Sequence, residues 1–168
     1  MSFDGMAEKA AIEARLSTLL LGVRVHTEIP EESKLETYPE TGLVKPYILL
    51  SFGSFYPSAD DRSMMGEEQQ PQVMPVIIEC WASDAGSAQK TAGAVRTIML
   101  GWPPDPNNAT ALEFRGGGWF PGRANASGRP SRSMESVNFV TTLNQSILGG
   151  PTWLPDGGLY PSTELFPT

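Results

Sequence analysis

Few residues in this 168-residue chain could do chemistry, and their spacing speaks against it. His26 is the only histidine and Cys80 the only cysteine. A nucleophile–base pair built on His26 would need a G-x-S-x-G elbow or an equivalent partner, and none is present. His26 instead falls at an outward position of a predicted strand. Cys80 lies in the apolar run V-I-I-E-C-W-A, where an inert buried thiol is expected. One cysteine also excludes an intrachain disulfide, and no Cys/His set has zinc-ligand spacing. The adjacent carboxylates Glu31-Glu32, Asp60-Asp61 and Glu67-Glu68 sit in turn-rich segments. Neighbouring loop residues diverge, so these pairs lack the held separation that acid–base work needs. Gly116-Gly117-Gly118 has no following lysine and no helix, and so fails as a phosphate loop. Trp119 and Phe120 beside Arg115 and Arg123 could stack on nucleic-acid bases. The acidity of the rest of the chain favours a protein partner or a sister subunit. The residues thus point away from catalysis, with no cofactor and no metal expected.

The charge is unevenly placed. Formal net charge is −7, with apolar content 40% and charged content 18%. Residues 1–114 carry net −8, residues 115–133 net +4 from Arg115, Arg123, Arg129 and Arg132, and residues 134–168 net −3. A basic arm on an acidic body can pair with a copy of itself, whereas solvated loop arginines contribute little. Overall acidity argues against general nucleic-acid binding, which needs phosphate neutralisation. The N-terminus lacks the charged and apolar regions of a secretory signal, and no apolar run approaches the ~18 residues of a membrane span.

The elements that would hold these residues are readable from periodicity. Residues 8–21 form a first helix, with Ile12, Leu16, Leu19 and Leu20 on one stripe and Glu8, Lys9, Glu13 and Arg15 elsewhere. Ser2 or Asp4 could cap it, and Gly22 ends it. Residues 23–28 alternate as a half-buried strand that Pro30 stops. An acidic surface loop follows over residues 31–45. Residues 47–55 and 73–82 are further strands, separated by a polar loop. The near-continuous apolar character of residues 73–82 predicts a central strand covered on both faces, with Pro75 marking a bulge or edge. Ser83 or Asp84 caps a second helix, whose stripe of Ala85, Ala88, Ala92, Val95, Met99 and, on its flank, Leu100 is mostly small enough to lie close on a sheet. W-P-P-D-P-N-N (residues 102–108) is a rigid turn.

Residues 111–114 begin a fourth strand, residues 116–132 make a glycine-rich excursion, and residues 134–144 are a fifth strand. The two strands form a hairpin with an extended tip. The expected fold is α+β: a mixed, mainly antiparallel sheet of four to five strands flanked by two helices. The domain spans residues 1–145. Residues 146–168 are an extended C-terminal arm with no periodicity, whose Trp153, Leu154, Leu159, Tyr160 and Phe166 are candidate anchors. A flexible tail rarely keeps so many large apolar groups.

The order of these pieces resembles a known family. An N-terminal helix leads to a strand, then K-P-Y-I-L-L-S-F (residues 45–52) and a polar loop. V-I-I-E-C-W-A-S-D (residues 76–84), the helix A-Q-K-T-A-G-A-V-R-T-I-M-L-G (residues 88–101) and a hairpin complete it. This is similar to the tail terminator, or tail completion, proteins of long-tailed, lambda-like bacteriophages, over about residues 6–145. The resemblance implies a structural protein and not an enzyme. It implies a homo-oligomeric ring, expected as a hexamer, in the virion tail or neck and assembled in the host cytoplasm. The ring would cap the tail tube, end its polymerisation and meet the head-tail connector protein. Other neck and tail proteins, such as a connector or a tube subunit, share related architecture, and a small cytosolic α/β enzyme or ligand-binding domain is a third reading. In a ring, Arg115, Trp119, Arg123, Arg129 and Arg132 are candidate contacts between subunits. Glu31, Glu32, Asp60, Asp61, Glu67 and Glu68 are candidate lumen acids, repelling DNA that passes only transiently.

Overall fold

A computed structural model describes residues 5–58, 71–119 and 132–143. Its elements run α1 (Met6–Leu19), β1 (Arg24–His26), β2 (Tyr47–Phe52), β3 (Tyr56–Pro57), β4 (Gln72–Ala82), α2 (Ala85–Met99), β5 (Glu113–Trp119) and β6 (Ser133–Leu143), with a 3-10 turn at Glu32–Lys34. The sheet order is β1-β2-β4-β6-β5, and β3 pairs with β4. Among the described strands only β1 and β2 run parallel, and the other pairs are antiparallel. The architecture is therefore α+β with a largely antiparallel sheet, as the sequence implies, but with a sixth, two-residue strand. The expected hairpin tip beyond residue 119 and the arm over residues 146–168 lie outside the described residues.

The register of β4 decides which side chains form the core. β4 pairs with β2 on one side and β6 on the other, with Ile78 opposite Leu50 and Val137. Side chains alternate across a strand, so Met74, Val76, Ile78, Cys80 and Ala82 share one face with Ile48, Leu50, Val137 and Phe139. These residues are buried, and all but Ala82 form one cluster with Ile12 and Leu16 of α1 and Ala92, Val95 and Met99 of α2. Both helices thus lie on the same face. Pro75, Ile77, Glu79 and Trp81 point the other way and are only half-buried. The expectation that β4 is covered on both faces is corrected: it is central in the sheet but has a helix layer on one side only among the described residues. Its continuous apolar run reflects central position and not two helix layers.

Pro75 fits this position without a bulge. The β4–β6 register runs through it unbroken, while the β2 ladder ends at the neighbouring Phe52–Val76 pair. The Pro75 carbonyl accepts from Gly53 N at 3.0 Å, so its missing N–H points where the β2 ladder has already stopped.

The helices follow their signals with two differences. Asp84 caps α2, accepting from Ser87 N at 2.8 Å and from Ser87 Oγ at 2.7 Å. These bonds, the side-chain one first, hold its carboxyl below the usual carboxylate range. Gly5, in the left-handed region, precedes α1 without a side-chain cap. Ser2 and Asp4 lie outside the described residues. The inner stripe of α1 is Glu8, Ile12 and Leu16, continued by Leu20, whereas Leu19 is exposed. The one-residue error at Leu19 arises because two adjacent leucines cannot both face the sheet. Arg15 on the flank of α1 donates to the Ile98 carbonyl at 2.9 Å and lies over the Trp102 ring, tying α1 to the end of α2.

The glycine run is also corrected. β5 does not stop at residue 114 but continues through Gly116, Gly117 and Gly118 to Trp119, paired with β6 throughout. The register shifts between Phe114 and Gly116, a bulge at which Gly116 has φ 118°. Non-glycine residues rarely adopt that conformation, so the glycine permits the bulge and lets the strand resume.

Candidate interaction surfaces

The open face of the sheet gathers several side chains that the sequence leaves far apart. Near the β1 side, Tyr47 is buried at 5% exposure, although it points away from the helices. It stacks on Trp81, with ring centroids 6.2 Å apart and planes at 3°. His26 meets the same tyrosine edge-on at 5.7 Å. Trp81 Nε1 donates to Glu79 Oε2 at 3.1 Å. Arg132 closes the group: Nη1 donates to the Tyr47 hydroxyl at 3.2 Å and Nη2 to Glu32 Oε1 at 2.8 Å. Burial pushes the Tyr47 hydroxyl above its ordinary value, against the opposing pull of the Arg132 guanidinium.

Arg132 and Glu32 were separate expectations of the sequence, one a contact between subunits and the other a lumen acid. They are joined within the chain. The bond spans 100 residues and ties the foot of β6 to the 3-10 turn after β1. Arg115 Nη2 bonds Glu113 Oε2 at 3.0 Å on the bulged edge strand, where both side chains remain largely exposed. Glu31 forms an exposed pair with Lys34 at 3.3 Å. Trp119 ends β5, its backbone opposite Glu135. Arg123, Arg129, Asp60, Asp61, Glu67, Glu68, Trp153, Leu154, Leu159, Tyr160 and Phe166 lie outside the described residues.

Further along the same face, towards the end of β6, the surface is apolar. Register places Leu49 and Ser51 of β2, Pro75 and Ile77 of β4, and Asn138 and Val140 of β6 side by side. Sequence reasoning did not single out these positions. Strand alternation marks them, but only pairing register shows that they adjoin.

Among the described residues, chemistry-bearing groups do not converge. His26 is half-buried against Tyr47 rather than directed freely outward. Cys80 is buried, and its thiol is pushed up to about 12, chiefly by burial and then by the Glu135 charge. That matches the inert thiol expected from its apolar run. Arg24, Glu36 and Lys45 form an ion-pair chain, at 2.5 Å and 3.6 Å from the Glu36 carboxylate. It borders a shallow depression with His26 and Tyr47. Among the described residues no group of three His, Cys, Asp or Glu could hold a metal, and no helix is long and apolar enough to cross a membrane.

No protein-family model matches the chain, and no curated protein matches it. Among solved structures, the chain is similar to one described as "Virion of native gene transfer agent (GTA) particle". The two share 16% identity at a TM-score of 0.46, over 81% of this chain and 92% of that one. A likeness of that extent assigns no role to this chain.

Proposed function

We propose that this chain is a structural virion-assembly protein of the tail terminator type. It forms a ring, expected as a hexamer, that caps a phage tail tube, ends its growth and offers a joining surface to the head-side connector. The observation that carries this reading is the one-sided sheet. Two helices cover one face, the other face is open among the described residues, and β1 and β5 are edge strands. Such a wedge has surfaces for neighbours on several sides, which a subunit of a closed ring requires. The element order α1, β1, β2, β4, α2 and a β5–β6 hairpin is the order on which the sequence resemblance rests. The acidic body suits a lumen through which DNA passes without adhering. The protein acts through surfaces and not through a reaction.

The test is reconstitution with the tail tube subunit of the same particle, imaged by negative-stain electron microscopy. Tubes of arrested length ending in a ring are expected. Tubes that grow on unchanged, with no ring at either end, would sink the terminator reading. Filaments formed by this chain alone would make it a tube subunit, and binding to the connector without any effect on tubes would make it another neck protein.

A further inference from the structure

The link from β1 to β2 has no interior of its own. Residues 27–43 include no buried side chain. Ile29 is 85% exposed, and Tyr38 and Leu43 also stand largely in solvent. The backbone hydrogen bonds of this stretch stay local. Lys34 N donates to the Glu31 carbonyl, Tyr38 N to Leu43, Gly42 N to Tyr38 and Lys45 N to Glu36. An apolar anchor, Val44, comes only where the stretch ends. Ordering such a stretch costs conformational entropy that little apolar burial offsets, which places it at the low-stability end of the fold.

Charge ties it to the domain at two points. Glu32 accepts from Arg132 Nη2 at 2.8 Å at the foot of β6. Glu36 pairs with Arg24 of β1 and with Lys45. Both carboxylates are more than one-third exposed, and ion pairs this open to water are weak and screened by salt.

The stretch crosses the end of the open face where Tyr47 stands. Leu35 and Glu36 border the depression that His26 and Tyr47 also line. Arg132 bonds the Tyr47 hydroxyl through one nitrogen and Glu32 through the other. Tyr47 is buried here, whereas Leu49, the next residue of β2 on the same face, is only half-buried. The closed arrangement is also imperfect: Arg132 Nε is enclosed and has no partner among the described residues. An unsatisfied buried donor costs free energy that opening to water would recover.

We propose that residues 27–43 are an ionic strap, closed over Tyr47 by the Glu32–Arg132 and Glu36–Arg24 pairs, which lifts when those pairs break and bares Tyr47 and Arg132. The strap is a contact of the chain with itself, so this goes beyond the ring reading and does not rest on it.

Nitration of the full-length chain by tetranitromethane, read residue by residue by mass spectrometry, tests it. Tyr56 is exposed and serves as the internal reference. Glu32→Lys with Glu36→Lys turns both ties into repulsions without touching Tyr47. The ratio of Tyr47 to Tyr56 nitration should rise at least fivefold in that variant, with amide exchange along β4 unchanged. Glu40→Lys makes the same charge change in the same stretch outside both ties, and should leave the ratio as in the parent. The parent chain itself should gain at least threefold in about 1 M NaCl, where the screening length falls to ~3 Å. That arm decides the matter if the double variant does not fold. An unchanged ratio in a folded double variant, an equal rise with Glu40→Lys, or a parent ratio that salt leaves unmoved would each overturn the strap. None of these outcomes bears on whether tubes are capped.

Discussion

The two faces of the sheet are built from the same strands but obey different rules. The covered face is continuous aliphatic and aromatic packing: Phe139 is 1% exposed and meets Phe114 edge-on at 5.9 Å, and Arg96 lies over the Phe114 ring. The open face mixes a buried Tyr47, an ion pair and half-buried aliphatics. Most side chains on the first are fully buried, and each of those contributes close to its full transfer free energy. On the second, Tyr47 and Met134 are buried, but water reaches part of Leu49, Ile77 and Val140, and less is lost on their truncation. The covered face holds the domain together, and the other carries no helix among the described residues.

The sharpest way to break that contrast is to truncate one aliphatic or aromatic side chain on each side. Phe139→Ala should lower the unfolding free energy by about 3–5 kcal/mol in urea titration. Ile77→Ala on the open face should cost less than half as much. Equal losses would mean that the open face is packed as tightly as the other.

A second change tests the edge between the faces. A Cβ on Gly117 would be driven into the Ser136 carbonyl oxygen across the β5–β6 ladder. Gly117→Ala should destabilise by about 1–3 kcal/mol and raise amide exchange along β5 more than along β2. Uniform exchange changes would show that β5 does not respond as a separate edge.

The covered face also has a pH signature. The Cys80 thiol is held at about 12, above its ordinary 9.0, because burial disfavours the thiolate. A raised folded-state value means that folding favours the protonated form. Its stabilising contribution is complete below pH 9 and is lost as pH rises from about 9 through 12. Cys80→Ala should flatten the fall of the urea midpoint across that window. A slope identical to that of the parent chain would locate the alkaline sensitivity elsewhere.

The smallest effect belongs to the open face. Arg132→Met removes the partner of an exposed Glu32 and of the Tyr47 hydroxyl, and should cost about 1 kcal/mol. It should also raise the Tyr47 ionisation further, since the guanidinium is the main force lowering it. Ultraviolet titration of the phenolate, compared with Tyr47→Phe, reads that shift. A downward shift would show that Arg132 does not face the hydroxyl in solution.

Much of this arrangement was legible from residue order. Asp84 stands before an amphipathic run and caps α2 as its type predicts. Val137, Phe139, Thr141 and Leu143 alternate with polar neighbours, and β6 buries those four side chains. The glycine run misled because glycine lowers strand propensity, while a single positive-φ residue at a bulge was enough to let β5 continue. The inner stripe of α1 was off at Leu19, and Glu8 was expected on the outer side although it is buried. The apolar positions of that helix are too few to fix its rotation. The open-face cluster was illegible because its members come from β1, β2, β4, the 3-10 turn and the foot of β6.

Sequence by itself determined the local elements, the hairpin, the capped second helix and the absence of a disulfide, because each depends on periodicity or on residue counts. Tertiary structure alone decided which face of β4 is the core. Both parities of that strand are apolar, with Met74, Val76 and Ile78 on one side and Pro75, Ile77 and Trp81 on the other. Only the placement of two helices on the first side distinguishes them. It also decided that Arg132 meets Glu32, since a pair 100 residues apart is set by how strands order in the sheet and not by anything written near either residue.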